Sequence, residues 1–457
     1  MCGRPVVAPI ANAASLDIAT AVVFVLAFGL AALATSRRPA YGVAALITCE
    51  PFALYRSLGP TLVTLPKIVL IAVAATIIVT LRERMLDALR GTAARTLCIA
   101  AAAVVVATAL SVRQAEFHVV AWRETLKSVE YLALLATVVV AARADYDERV
   151  IRLAVAVTLV AVSALALEDE VRGAASVLCF AGQPVPRIAG PLEGPNQLGA
   201  YLGIASCAVA AFAARRDGAT LELIALAAAG TALVLTFSRM GLLAGCVGLA
   251  IVVATASRQG RRRVVLSAGT GVAVGVAAIA MRGALVSGSF GGLSLLMHFA
   301  TLAQAQDTGT VGSRSQLYRA AYTLWRVHPF FGIGAGNFEF ELARAGYPHV
   351  RTHANSLYLQ ALVEGGIPLA VATVAAAFAP IGRFWRGPFD EPLVVAALAA
   401  SAGFAIHQLF DLLVFFPKVG ELWWIVVALG AARFDAADGA VRRRTSPARR
   451  TSSRGTV

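Results

Sequence analysis

Three arginines and one histidine stand where phosphate recognition and proton transfer would need them. Arg239 lies in Thr236-Phe-Ser-Arg239-Met-Gly241, an otherwise uncharged turn between two apolar stretches. Arg314 and Arg319 head the segment Ser313–Val327, and His353 stands just before the apolar stretch that begins at Asn355. A guanidinium grips a phosphate through two parallel hydrogen bonds. A histidine, with an unperturbed pKa near ~6.5, is the default general base at neutral pH. The set therefore suits recognition of a phosphate beside a general base. Each residue also has a plainer reading: Arg239 snorkelling to headgroups, Arg314 and Arg319 on a solvated face, His353 as a structural interfacial side chain.

Other chemistries find less support. Gly332-Ile-Gly-Ala-Gly336 follows a helix and a proline rather than a strand, and no Walker lysine comes after it, so it reads as a tight turn. There is no HExxH, no DxD-like acidic pair on the outer face and no nucleophile elbow, and neither a metal nor a cofactor is expected. The six cysteines show no metal spacing and read as small hydrophobes.

The elements that must position these residues are membrane helices. Of 457 residues, 58% are hydrophobic and 14% charged, and the mean hydropathy is +0.74. Soluble domains carry about 25% charged residues. Such a chain cannot keep an aqueous surface, which excludes a soluble enzyme, a coiled coil and a disordered protein. The apolar residues fall in long blocks, among them Ile18–Thr35, Thr61–Leu81, Thr96–Val112, Leu221–Phe237, Met240–Ala256, Val264–Met281 and Asn355–Ala379. Each approaches or exceeds the ~17–25 residues that cross a bilayer. The expected fold is an all-α, polytopic transmembrane bundle of about 12–13 spans, with one long extracytoplasmic loop containing an amphipathic helix.

Charge orients the bundle. The net charge is +14, and only Lys67, Lys127 and Lys418 among the 40 basic residues are not arginine. Arg82–Arg95, Arg143–Arg152, Arg215–Arg216, Arg258–Arg263, Arg383–Arg386 and the tail from Arg433 fall on one face, which the positive-inside rule makes cytoplasmic. The opposite face then carries Arg113–Lys127, Glu168–Asn196, the Ser238–Arg239 turn and the segment 282–354. Scattered over short loops, the charge speaks for orientation and against nucleic acid. The 73-residue segment 282–354 is far longer than an ordinary connection, and such loops are usually functional. It holds a glycine- and serine-containing stretch, Ser287–Ser294. An amphipathic helix, Ser313–Val327, follows; it would rest on the membrane surface or cover the bundle.

The sequence resembles the O-antigen ligase / O-antigen polymerase superfamily of bacterial envelope glycosyltransferases, from about Arg187 to Ala379. The first carrier is Arg187-Ile-Ala-Gly190-Pro-Leu-Glu-Gly-Pro195-Asn196-Gln-Leu-Gly199-Ala-Tyr201-Leu, followed by Thr236-Phe-Ser-Arg239-Met-Gly. Next come Ser313-Arg314 with Trp325-x-x-His328-Pro-Phe-Phe-Gly332-Ile-Gly334-x-Gly336-Asn-Phe338. The last is His353-Ala-Asn355-Ser-Leu-Tyr-Leu359-Gln-x-Leu-Val-Glu364-x-Gly366. Many relatives have His directly before Asn; here Ala354 intervenes.

The resemblance implies a metal-independent transferase that uses a polyprenyl-diphosphate-linked glycan on the outer side of the bacterial cytoplasmic (inner) membrane, in surface polysaccharide or lipopolysaccharide biosynthesis. The acceptor would be a hydroxyl of a glycan, lipid or protein. The family's arginines fall on Arg239 and Arg314, with Arg319 nearby, as diphosphate ligands, and its histidine falls on His353 as base. A basic residue of an earlier outer loop would match Lys127 or Arg123. Asn196, Asn355 and Glu364, inside the quoted motifs, are further candidates. The implied organisation is 1–186 N-terminal helices, 187–379 ligase-like core, 380–434 C-terminal helices, and 435–457 a basic, disordered cytoplasmic tail. The rival reading is a lipid-glycan flippase or another transporter. A carrier should hold ionisable groups at mid-bilayer, and Asp411 is the nearest to such a group.

Overall fold

The computed structural model describes residues 18–52, 54–58, 61–173, 176–180, 183–215, 220–285 and 314–445. Long apolar blocks become helices because a bilayer offers the backbone no other hydrogen-bond partner. In chain order these are α1 (Ile18–Arg37), α2 (Pro39–Cys49), α3 (Leu65–Leu89), α4 (Thr92–Ser111), α5 (His118–Ala144), α6 (Glu148–Arg172), α7 (Pro195–Ala213), α8 (Thr220–Leu235), α9 (Arg239–Thr255) and α10 (Arg258–Leu285). Then follow α11 (Arg314–Val327), the short α12 (Phe338–Glu341), α13 (Leu357–Phe384), α14 (Pro392–His407) and α15 (Pro417–Thr445). Two antiparallel hairpins interrupt the helices: β1 (Tyr55–Leu58) with β2 (Thr61–Thr64), and β3 (Ser176–Phe180) with β4 (Gln183–Arg187). The protein is an all-α polytopic bundle. Eight of the described helices are long and apolar enough to cross a membrane, and α2, α8, α9 and α14 are shorter apolar helices.

The arginine-bearing turns meet at one end. Arg38 pairs with Asp145 and Asp147, both at 2.8 Å, and Arg433 with Glu391 at 2.7 Å. Arg263 donates to the Arg215 carbonyl at 2.8 Å. Asp435 accepts from the backbone N–H groups of Ala93 and Ala94 at the start of α4, where unsatisfied N–H groups and the helix dipole favour a carboxylate. That contact lies beyond the boundary at 434: α15 runs on to Thr445, so the tail expected from 435 is helical to that point. Residues 446–457, like the Ser287–Ser294 stretch, lie outside the described residues.

α7 runs through the centre, buried from Leu198 to Ala213. Small residues let α9 lie directly on it: a Cβ on Gly241 would sit 3.0 Å from the Gly199 Cα, and one on Gly203 would sit 3.7 Å from the Gly245 Cα. Close backbone approach of this kind is the way helices associate in lipid, where the hydrophobic effect does not drive them together. It also brings the N-termini of α7 and α9, and with them Asn196 and Arg239, to the same end of the bundle.

Candidate active site

At the end opposite the arginine-rich turns, α9 begins at a sharp corner. Phe237 has φ 50°, and the Ser238 hydroxyl caps the helix by accepting from the Gly241 N–H at 3.2 Å. The corner presents Arg239 as the first helical residue. Beside it, Arg187 at the end of β4 donates to the Thr236 carbonyl and to Asn196 Oδ1, both at 2.7 Å. Burial, followed by the charge of Arg239, pushes the Arg187 pKa down to about 10. Arg314, the first residue of α11, lies with its guanidinium carbon 6.0 Å from the Phe410 ring centroid, and its charge reaches Arg239.

Like charges gather at a cost, and Asp411 offsets part of it. This carboxylate follows α14 and feels both Arg314 and Arg187, and Asn196 hydrogen-bonds it. Burial raises its pKa, while the Leu412 N–H and these cations hold it down. The result is a carboxylate that feels two guanidiniums, with Arg239 close enough for its charge to act on both. This makes a net positive pocket suited to an anion with more than one charge.

The histidine belongs to an adjoining cluster. The chain from Arg351 enters α13 through Asn355, whose φ is 50°. The Ala354 N–H donates to Gln360 Oε1 at 2.7 Å, and the Leu357 N–H to the carbonyls of Gln408 and Asp411. The His353 ring packs 4.1 Å from the Phe415 ring centroid. Lys127 stands over the same ring at 4.5 Å and holds Glu124 through both carboxylate oxygens. Burial is the main cause that pushes the His353 pKa down to about 4; Glu124 opposes the shift and Lys127 adds to it. His353 is therefore neutral near pH 7. The segment 408–416 carries Asp411 and Phe415, and so joins the arginine pocket to the histidine cluster.

A cavity of about 130 Å³ opens beneath this cluster. Its mouth is polar, with Glu124, Lys127, Gln360 and Glu364; deeper, Val104, Ala376, Phe404 and Trp424 make it apolar.

The glycine run 332–336 is a packing clamp. Ile333 and Gly334 N–H groups donate to the carbonyls of Val363 and Glu364 at 3.0 and 2.9 Å. α13 breaks there, with Gly366 at φ 64° and ψ −160°. A Cβ on Gly366 would collide with the Phe330 carbonyl, and one on Gly332 with the Glu364 backbone. Glu364 is buried, accepting from Gln360 Nε2 at 2.6 Å and the Phe338 N–H at 3.3 Å.

Of the residues singled out from sequence, Arg314 and Asn196 come together at Asp411, and Arg239 lies within reach of Arg314 and Arg187. His353 and Lys127 meet at Phe415, Asn355 forms the turn into α13, and Glu364 lies within the wall of the cavity. Arg319 and Arg123 are exposed on α11 and α5. Sequence reading did not assign Arg187, Asp411, Glu124 or Phe415 to the site. Arg187 opens the first quoted motif and Asp411 interrupts an apolar run, so both had a signal; Glu124 and Phe415 had none. Among the described residues, no group of three or more His, Cys, Asp or Glu is placed to hold a metal ion.

Residues 224–374 match the family model of the O-antigen ligase. The match runs from α8 into α13 and includes Arg239, Arg314, Arg319, His353, Asn355 and Glu364. No curated protein matches the chain. The chain is thus a multi-pass membrane protein whose residues 224–374 are similar to the O-antigen ligase domain, a similarity that supports a glycosyltransferase-like role in surface polysaccharide synthesis.

Proposed function

We propose that the protein transfers a glycan from a polyprenyl-diphosphate donor to an acceptor hydroxyl, on the extracytoplasmic side of the cytoplasmic membrane and without a metal. The observation that carries this reading is the convergence of Arg187, Arg239 and Arg314 near Asp411, with the segment that carries Asp411 running on to Phe415, against which the buried, neutral His353 packs. The three guanidiniums would hold the diphosphate, with Asn196 and Asp411 fixing their positions. The charge that develops as the anomeric C–O bond breaks is then met by groups already in place, which need no reorganisation during the reaction. His353 would take the acceptor hydroxyl proton as the oxygen bonds to the anomeric carbon from the opposite face, inverting it. The apolar cavity between α4, α5, α13, α14 and α15 suits a polyprenyl chain below a wet, polar mouth.

The arginine-rich turns support this side of the membrane, since the positive-inside rule favours the cytoplasm for them. Purified protein in liposomes, given labelled lipid-diphosphate glycan and acceptor, should release polyprenyl diphosphate in step with glycan transfer. Movement of intact donor across the bilayer without release would identify a carrier instead.

A further inference from the structure

α11 buries one apolar face and leaves its opposite side open. Leu317, Ala320, Ala321 and Leu324 are buried against Ile333, Phe338, Leu342 and Val363, which seats the helix on the top of α13. The other edge is uncovered: Tyr322 is 54% exposed, Val327 68% and Phe330 65%, and the half-exposed Phe331 follows. Arg319 and Arg326 lie on this uncovered side, and Arg326 sits 5.7 Å from the Tyr322 ring centroid.

The height of this edge can be read from α13. A hydrocarbon core of ~30 Å takes roughly 20 helical residues. Counted back from Arg383, near the arginine-rich end of α13, that length ends near Glu364. The Phe330 carbonyl abuts Gly366, and the Ile367 N–H donates to the Pro329 carbonyl at 3.1 Å. The turn after α11 is therefore level with the boundary between acyl chains and headgroups. It also continues a stripe of exposed apolar residues that runs down α13 through Ile367, Val371, Val374 and Phe378. Their spacing of four, three and four keeps them on one helix face.

We propose that the edge Tyr322–Phe331 is a lipid-docking wedge. Its occupant is the phospholipid of the leaflet opposite the arginine-rich end. Phe330 and Phe331 enter the headgroup–acyl boundary, where aromatic rings concentrate, and Tyr322 lies at headgroup level. Arg319 and Arg326 face lipid phosphates. This assigns Arg319 to the bilayer rather than to the donor. The wedge fixes the height of α11, and so of Arg314 at its other end. It depends on the protein being in a membrane and not on the transfer reaction.

The test is photocrosslinking in native membranes. Phe330, Phe331 and, as a water-exposed control, His349 are replaced one at a time by p-benzoylphenylalanine, and the irradiated protein is digested and analysed by mass spectrometry. Phospholipid adducts at 330 and 331, with none at 349, are expected. No lipid adduct at 330, a protein crosslink there in place of lipid, or equal lipid adducts at 349 would each overturn the wedge. Because no activity is measured, failure of the transferase reading leaves this result intact.

Discussion

Lys127 Nζ lies 2.9 and 2.7 Å from the two carboxylate oxygens of Glu124, one helical turn earlier on α5. The pairing uses the charge that made Lys127 a match for the basic residue of an earlier outer loop. It leaves the ammonium over the Phe415 ring, whose other neighbour is His353. Lys127 and Glu124 thus tune the histidine between them, in opposite directions.

The first prediction concerns pH. With His353 pushed down to about 4, the base stays neutral in mildly acidic medium. Activity should hold as pH falls through 6.5 and be lost only as pH nears 4. Glu124→Gln removes the influence that raises the pKa, so the acid limb should move to lower pH. It should also slow turnover, because the imidazolium formed in the transition state loses its carboxylate. Lys127→Met removes the lowering influence and frees the carboxylate, so the limb should move up by about one pH unit. The measurement is kcat/KM from pH 4 to 8; superimposable profiles for all three proteins would refute the tuning.

The arginines make a separate prediction. Arg239→Lys and Arg314→Lys should lose most activity although charge is kept, because an ammonium cannot reproduce two parallel bonds to a phosphate. Arg187→Lys should do the same, and should also loosen Asn196, since its guanidinium bridges Thr236 and Asn196. Arg215→Lys, at the opposite end beside Glu148, should be nearly silent. Transfer at equal protein levels decides it: full activity in the three site variants removes the diphosphate assignment.

What the sequence made legible depended on how far the cause extends along the chain. Helices such as α3 and α13 were readable because the bilayer requires a continuous apolar run. The amphipathic pattern 313–327 gave α11 because burial of Leu317, Ala321 and Leu324 repeats at helical spacing. Arg239 showed because an apolar turn has little reason to carry a cation. The role of Asp411 did not, since its partners Arg187 and Arg314 lie far away in sequence, and only the fold of α7, α11 and α14 brings them together. The glycine run was recognisable as a turn, but its purpose, clamping the break of α13, needs the facing backbone at Val363–Gly366. Short α2 shows a limit of span counting: its 11 residues are apolar, yet length alone does not make them a full crossing.

The α13 break gives a stability prediction. Gly366 combines φ 64° with a backbone neighbour in the position of its missing side chain. Gly366→Ala should destabilise by at least ~1–3 kcal/mol, the usual cost of holding a non-glycine residue in such a region. The clamp at 332–334 would loosen with it. Gly382→Ala, where a Cβ meets open space on the same helix, should have little effect. Thermal unfolding in detergent compares the two, and equal melting temperatures would show that the break carries no strain.

The last prediction is about His353 itself. The ring is held against Phe415 by two neighbours of the backbone: the Ala354 N–H is fixed on Gln360, and the Leu357 N–H on the 408–411 carbonyls. None of these anchors uses the imidazole, so removing it should leave the turn in place. The arginine pocket draws on α7, α9, α11 and Asp411, and should still bind donor. His353→Ala is therefore expected to fold and to bind donor with unchanged affinity, yet to transfer at least ~100-fold more slowly, within the range for losing a general base. His353→Gln, polar but unable to accept a proton at neutral pH, should be equally slow. Donor binding and single-turnover transfer measured on the same preparations separate the outcomes. Normal turnover would leave only electrostatic stabilisation by the arginines, and loss of donor binding with intact folding would make His353 a phosphate ligand.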